Sequence, residues 1–149
     1  MSVAEKFESL TYGPAPESAA TAVSWLADHG NKFGLYIDGK WTTPKEASYV
    51  PISNPATGEQ LAEVCVAGET TVNQAVDAAQ KAFKSWSQTP DHERARILYA
   101  IARGIQKHQR LFAVLETLDN GKPIRESRDL DVPLATRHFY HHAGWAPVS

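Results

Sequence analysis

A chain of 149 residues, 42% of them apolar and 21% charged, has the material for one domain with a packed core. Its net charge of -2 and its scattered basic residues exclude the electrostatic footprint of a nucleic-acid or anionic-membrane binder. No run approaches the roughly 20 apolar residues that a membrane span needs. The start, Met1 to Thr11, carries Glu5 and Glu8 and no apolar stretch, which argues against a secretory signal and a mitochondrial presequence. The one cysteine, Cys65, forms no internal disulfide, and a reducing, cytoplasmic setting is expected.

Residues 1 to about 13 read as a loose leader punctuated by Gly13, Pro14 and Pro16. Pro16 suits the first turn of a helix over Glu17 to His29, where Ala19, Ala22, Val23 and Leu26 recur at helical spacing and Gly30-Asn31 makes the stop. Two hairpins follow. Phe33 to Ile37 and Lys40 to Thr42 flank Asp38-Gly39, the signature of a type I′ turn. Tyr49 to Ser53 and Gln60 to Val66 flank Asn54 to Glu59, a turn built on Asn-Pro and Thr-Gly.

From Gly68 onward the apolar period becomes helical. Thr70-Thr71 with Gln74 predicts a capping box opening a helix from Val72 to about Ser87, with Val72, Ala75, Val76, Ala79, Phe83 and Trp86 as one stripe. Thr89-Pro90 opens a second helix to about His108, with Asp91 and Glu93 at its positive end. Ile97, Leu98, Ile101 and Ile105 form its stripe, and Gly104 suggests a close helix crossing. A third helix, Leu111 to Leu118, stops at Asn120-Gly121. A fourth runs from about Arg125 to Gly144, with Pro133 inside it predicting a kink or break.

The chemistry-bearing residues have plain structural readings beside their functional ones. Cys65 is the obvious nucleophile, but it lies in an apolar strand beside Glu63, which suits a packed thiol better than a thiolate. His138 and His142 share one helix face at the spacing of a metal pair, with His141 between them and no intervening carboxylate. A small metal-dependent hydrolase built on that pair would need a third ligand from elsewhere. Asp129 and Asp131, two apart, point to different helix faces and make a poor acid–base pair. Asp119 sits at a helix end among carbonyls that repel it; either a bound cation or an Asx-type turn resolves the conflict, and the residues alone favour the turn. There is no Gly-x-Gly-x-x-Gly, Walker loop or Gly-x-Ser-x-Gly.

Several marks occur in a specific order. They are Ile37-Asp38-Gly39-Lys40-Trp41, Asn54-Pro55-Ala56-Thr57-Gly58, Ala82-Phe83, Glu93-Arg94-Ala95-Arg96-Ile97-Leu98, Leu118 to Pro123, and Ala143-Gly144-Trp145. Together they resemble the N-terminal third of the aldehyde dehydrogenase superfamily. Phe7 to Pro14 and Trp25-Leu26 look most like its family-sixteen branch.

The resemblance implies residues 1–32 as leader and first helix, and 33–149 as the incomplete nucleotide-domain side of a Rossmann-type α/β enzyme. As a fragment, the fold class is α+β: two early hairpins, then about four amphipathic helices. It also implies a monovalent cation held by Ile52, Ser53 and Asp119, and a place for Val132 near the substrate entrance. The family's nucleophilic Cys, oxyanion Asn, general-base Glu and NAD(P) site find no match within these 149 residues, so no catalytic or cofactor-binding residue is assigned here.

The tail Pro147-Val148-Ser149 departs from the usual continuation. The expected function is part of an NAD(P)-dependent aldehyde dehydrogenase, inactive alone and binding no nicotinamide cofactor by itself. The remainder of such an enzyme, or a second copy, is expected to cover an exposed apolar face. The alternative is a non-catalytic, truncated family member that acts as an interaction module for a full-length subunit.

Overall fold

The computed structural model describes residues 17–148, so the loose leader and the role of Pro16 lie outside the described residues. Helix α1 spans Ala20–Asp28. The Ser18 hydroxyl accepts from Ala20 N at 3.2 Å, and Ala22 and Leu26 are buried. Val23, expected on the buried stripe, is half exposed. Gly30 and Asn31 both take positive φ and turn the chain into β1, Lys32–Phe33.

Phe33 corrects the first expected hairpin. It does not enter the ribbon but pairs in parallel with Val64, because Glu63 N donates to Asn31 O at 2.8 Å and draws this segment onto the later strand. The ribbon is β2, Leu35–Ile37, against β3, Lys40–Thr42. Asp38 at φ 52° and Gly39 at φ 73° have the positive dihedrals of a type I′ turn. The second hairpin forms as expected from β4, Ser48–Ser53, and β5, Gln60–Val66. Together with β1 they make a three-stranded sheet in the order β1-β5-β4.

Helix α2 spans Glu69–Trp86. The capping box is corrected: the helix starts earlier, Gly68 O accepts from Thr71 N and Val72 N at 3.0 Å, and no side chain caps it. Thr71 is buried inside the first turn instead. The stripe of α2 is only partly covered: the helix touches the β2 strand, yet Val72, Val76, Phe83 and Trp86 are 49%, 47%, 65% and 41% exposed.

Helix α3, Asp91–Lys107, and helix α6, Val132–Trp145, pack along their lengths. Alanines make this approach: Ala95, Ala102 and Ala143 are buried, and Tyr140 Oη donates to Gln106 Oε1 at 3.1 Å beside them. Gly104 has open space where a Cβ would sit, so the expected close crossing there does not exist. Ile97 and Ile101, expected on the buried stripe, are 39% and 40% exposed.

Helix α4, Gln109–Asn120, ends at Gly121, whose φ of 79° is the left-handed stop that the Asn-Gly pair predicts. A single turn α5, Ile124–Glu126, leads into a π turn over Ser127–Asp131 and then α6. Pro133 therefore neither breaks nor ends the helix. It sits at the start of α6, where the widened turn absorbs the missing donor.

The α+β arrangement of hairpins followed by amphipathic helices is as expected. Its core is thin: the largest fully buried side chain among the described residues is Ser127. No described helix is long and apolar enough to cross a membrane.

Candidate functional site

Helix α4 carries the site. It contacts α1 and buries Ala113 and Val114, and Phe112, Leu115 and Leu118 look toward Ile52 of β4 and Leu61, Ala62 and Val64 of β5. Between them lies a cavity of about 350 Å³ with Trp25, Phe33, Phe112, Leu115 and Leu118 on its wall. Ile52 and Asp119 line the same cavity, with Glu116 one turn before Asp119. Two of the three residues expected around a cation thus share one opening. Ser53, the third, follows Ile52 at the end of β4.

Local chemistry favours oxygen donors here. The β4–β5 register slips between Ile52 and Ser53, which lie opposite Ala62 and Gln60. β4 is also an edge strand, so its outward carbonyls face no neighbouring strand. Asp119 enters no ion pair among the described residues. Carboxylate and backbone carbonyl oxygens are the donors that hard cations take.

Two tight turns follow these residues in the chain. Asn54 folds the β4–β5 connection: its Oδ1 accepts from Ala56 N at 2.9 Å and its carbonyl accepts from Gly58 N at 2.7 Å. Pro55 of that turn rests against Gly121, where a Cβ would lie 2.8 Å from Pro55 Cγ.

A second opening of about 440 Å³ lies beyond Phe112 and Glu116, lined by Ile105, Asp131, Val132 and Ala135. Val132 is therefore on the wall of a cavity, adjacent to the first. The Lys122 ammonium binds the Asp131 carboxylate at its rim, and that hydrogen bond raises the lysine pKa. Asp129 turns away to Arg128, whose guanidinium lowers its pKa through two hydrogen bonds. The two aspartates are separately engaged, in keeping with their poor prospects as a pair.

Cys65 is buried in β5, with its Sγ 3.8 Å from Val66 O. His138 and His142 are exposed on α6, and the described residues contain no group of three or more His, Cys, Asp or Glu able to hold a metal. Phe112 and Glu116, which stand between the two openings, are not singled out by the sequence reading. Their signal is present in the spacing, since Glu116 precedes Asp119 by three residues and shares its face.

Residues 41–148 match the aldehyde dehydrogenase family. The chain belongs to that family. Among solved aldehyde dehydrogenases, it is similar to the NAD+ complex of the enzyme from Bacillus cereus, at 32% identity and TM-score 0.80 over 89% of this chain and 27% of that one. HpcC from Thermus thermophilus matches at 31% identity and TM-score 0.80 over 87% of this chain and 25% of that one. A betaine aldehyde dehydrogenase from Staphylococcus aureus, solved with NAD+, matches at 34% identity and TM-score 0.74 over 78% of this chain and 23% of that one. The chain thus spans about a quarter of the length of these proteins.

Proposed function

We propose that this chain is the N-terminal part of an NAD(P)-dependent aldehyde dehydrogenase that oxidises aldehydes to carboxylic acids, and that alone it is inactive. The observation that carries this reading is the match over residues 41–148 to a family whose solved members are about four times longer. The nucleophilic thiolate, the oxyanion donor, the general base and the nicotinamide site come from outside these residues. Cys65 is not the nucleophile: its buried strand position supports a packing role. When bound to the whole enzyme, NAD(P) accepts the hydride; this chain offers it no glycine-rich phosphate cradle. Its own contribution is the wall of Val132 near the substrate entrance and a monovalent cation held by the carbonyls of Ile52 and Ser53 with the Asp119 carboxylate.

The exposed stripe of α2 and the two apolar openings support covering by the rest of the enzyme. Each large side chain covered there would gain about 1.5–3 kcal/mol. The stretch Phe7 to Leu26 supports assignment to the family-sixteen branch, and a lone unpaired cysteine supports a cytoplasmic setting. Titration of the purified chain with NAD+ by calorimetry, alongside propanal oxidation, tests the reading: neither binding nor turnover is expected. Turnover that survives Cys65→Ser overturns the site assignment, and turnover abolished by it makes Cys65 the nucleophile.

The same exposed stripe also favours a second reading, a non-catalytic module that docks on a full-length subunit. Stable co-purification with a longer dehydrogenase distinguishes it from the first. A downstream reading frame that carries the missing Cys and Glu favours the first.

A further inference from the structure

We infer that the contact between Gly121 and Pro55 is a positioning element for the cation site, an inference that rests on the cation reading above. Asp119 lies two residues before Gly121, and Ser53 lies two residues before Pro55. The contact therefore clamps the two donor-bearing segments at matching distances along their chains. It is tight in a way only glycine permits. At φ 79° an L side chain is strained, and any Cβ would meet Pro55 Cγ at 2.8 Å and Pro55 Cβ at 3.6 Å.

Neither partner is free to yield. Gly121 N is tied to Thr117 O at 3.0 Å, and Pro55 is fixed in a turn whose ends are closed by Asn54 N donating to Glu59 O at 2.9 Å. A Cβ at position 121 must therefore move the end of α4 away from the turn. Asp119 moves with it, away from Ile52 and Ser53.

Thermal unfolding of the purified chain in potassium or sodium chloride, against choline chloride at matched ionic strength, reads the cation response. The wild-type chain is expected to be more stable in the small cations, and Asp119→Asn to lose that difference. Gly121→Ala is expected to need about 10- to 100-fold more cation for the same response, the range seen when residues that orient metal ligands are removed. Gly39→Ala is the matched control. Gly39 has φ 73° and nothing within 4 Å of its Cβ, so the substitution imposes backbone strain without a clash. It should lower the melting temperature yet keep the cation response.

Pro55→Ala removes the buttress from the other side with no strained residue, and should also weaken the response; it decides the matter where Gly121→Ala does not fold. A full response in Gly121→Ala or in Pro55→Ala, with Asp119→Asn still silent, overturns the positioning role and leaves the cation reading standing. A wild-type chain with no cation response overturns both.

Discussion

Thr117 donates its hydroxyl to Ser127 Oγ at 3.0 Å, and Ser127 is 0% exposed. This one bond fastens the end of α4 to the first residue of the π turn. Gln109 Nε2, bonded to Arg128 O at 3.2 Å, fastens the other end of the helix to the same segment. The stretch that carries Asp119 and the one that leads to Val132 are thereby held together. Ser127→Ala should destabilise the chain by about 1 kcal/mol, and Ser127→Val, which adds volume to a filled space, by about 1–3 kcal/mol. Urea midpoints measure both; a Val variant as stable as wild type would mean the site has room to spare.

Pro133 is tolerated because a widened turn precedes it. Pro133→Ala should then change stability by no more than about 0.5 kcal/mol. A proline forced into a regular helix interior costs about 3 kcal/mol, so a gain of that size on replacement would show that the π turn does not relieve it. The same urea titrations decide.

Two ion pairs set opposite pH limits. Lys122, beside Asp131, has a folded pKa above its unfolded one. Its contribution is complete below the unfolded lysine value of about 10.4 and is lost as pH rises through the folded value. Asp129, beside Arg128, has a folded pKa below its unfolded one. Its contribution is present above about 3.9 and is lost as pH falls through the lower folded value. Denaturant midpoints of Lys122→Met should fall less steeply than wild type on the alkaline limb only. Those of Asp129→Asn should do so on the acid limb only. Superimposable curves would remove these pairs from the account.

The exposed stripe of α2 makes self-association of the isolated chain the expected behaviour. Val76→Glu and Phe83→Glu should reduce light scattering while shifting stability by no more than about 0.5 kcal/mol, since neither side chain is buried. Unchanged scattering in the double variant would exonerate this face.

Cys65 is buried within β5. Its reaction with a disulfide reagent should run on the order of 100-fold slower in the native chain than in denaturant, because it must wait for local opening. A rate equal to that of the unfolded chain would contradict the burial.

Local signals are legible where chain neighbours decide the outcome. Asp38-Gly39, Asn54 to Gly58 and Asn120-Gly121 each specify a turn through backbone dihedrals, and each forms where expected. Signals that depend on distant partners are not. Phe33 reads as part of a hairpin, yet a strand about thirty residues on captures it through Glu63 and Val64. Gly104 suggests a close crossing, but the alanines at 95, 102 and 143 make that approach instead. Val72, Val76 and Phe83 have the spacing of a core face and lie in the open, because periodicity records what a helix is built to meet, not whether it has met it. At the site, Asp119 and Ile52 are reached from the sequence through family resemblance, whereas the Gly121–Pro55 contact that joins their segments needs three dimensions to be seen.

The strand order β1-β5-β4 also dictates a sequence of events during synthesis. The β2–β3 ribbon can close over its two-residue turn as soon as it leaves the ribosome. β1 cannot, because its partner β5 ends at Val66 and is made after the other described strands. The nascent chain therefore carries β1 with an open edge until β5 arrives and satisfies β1 and β4 together. The first helix, whose Trp25 stacks on Phe33 at 5.7 Å, is the nearest cover for that waiting edge.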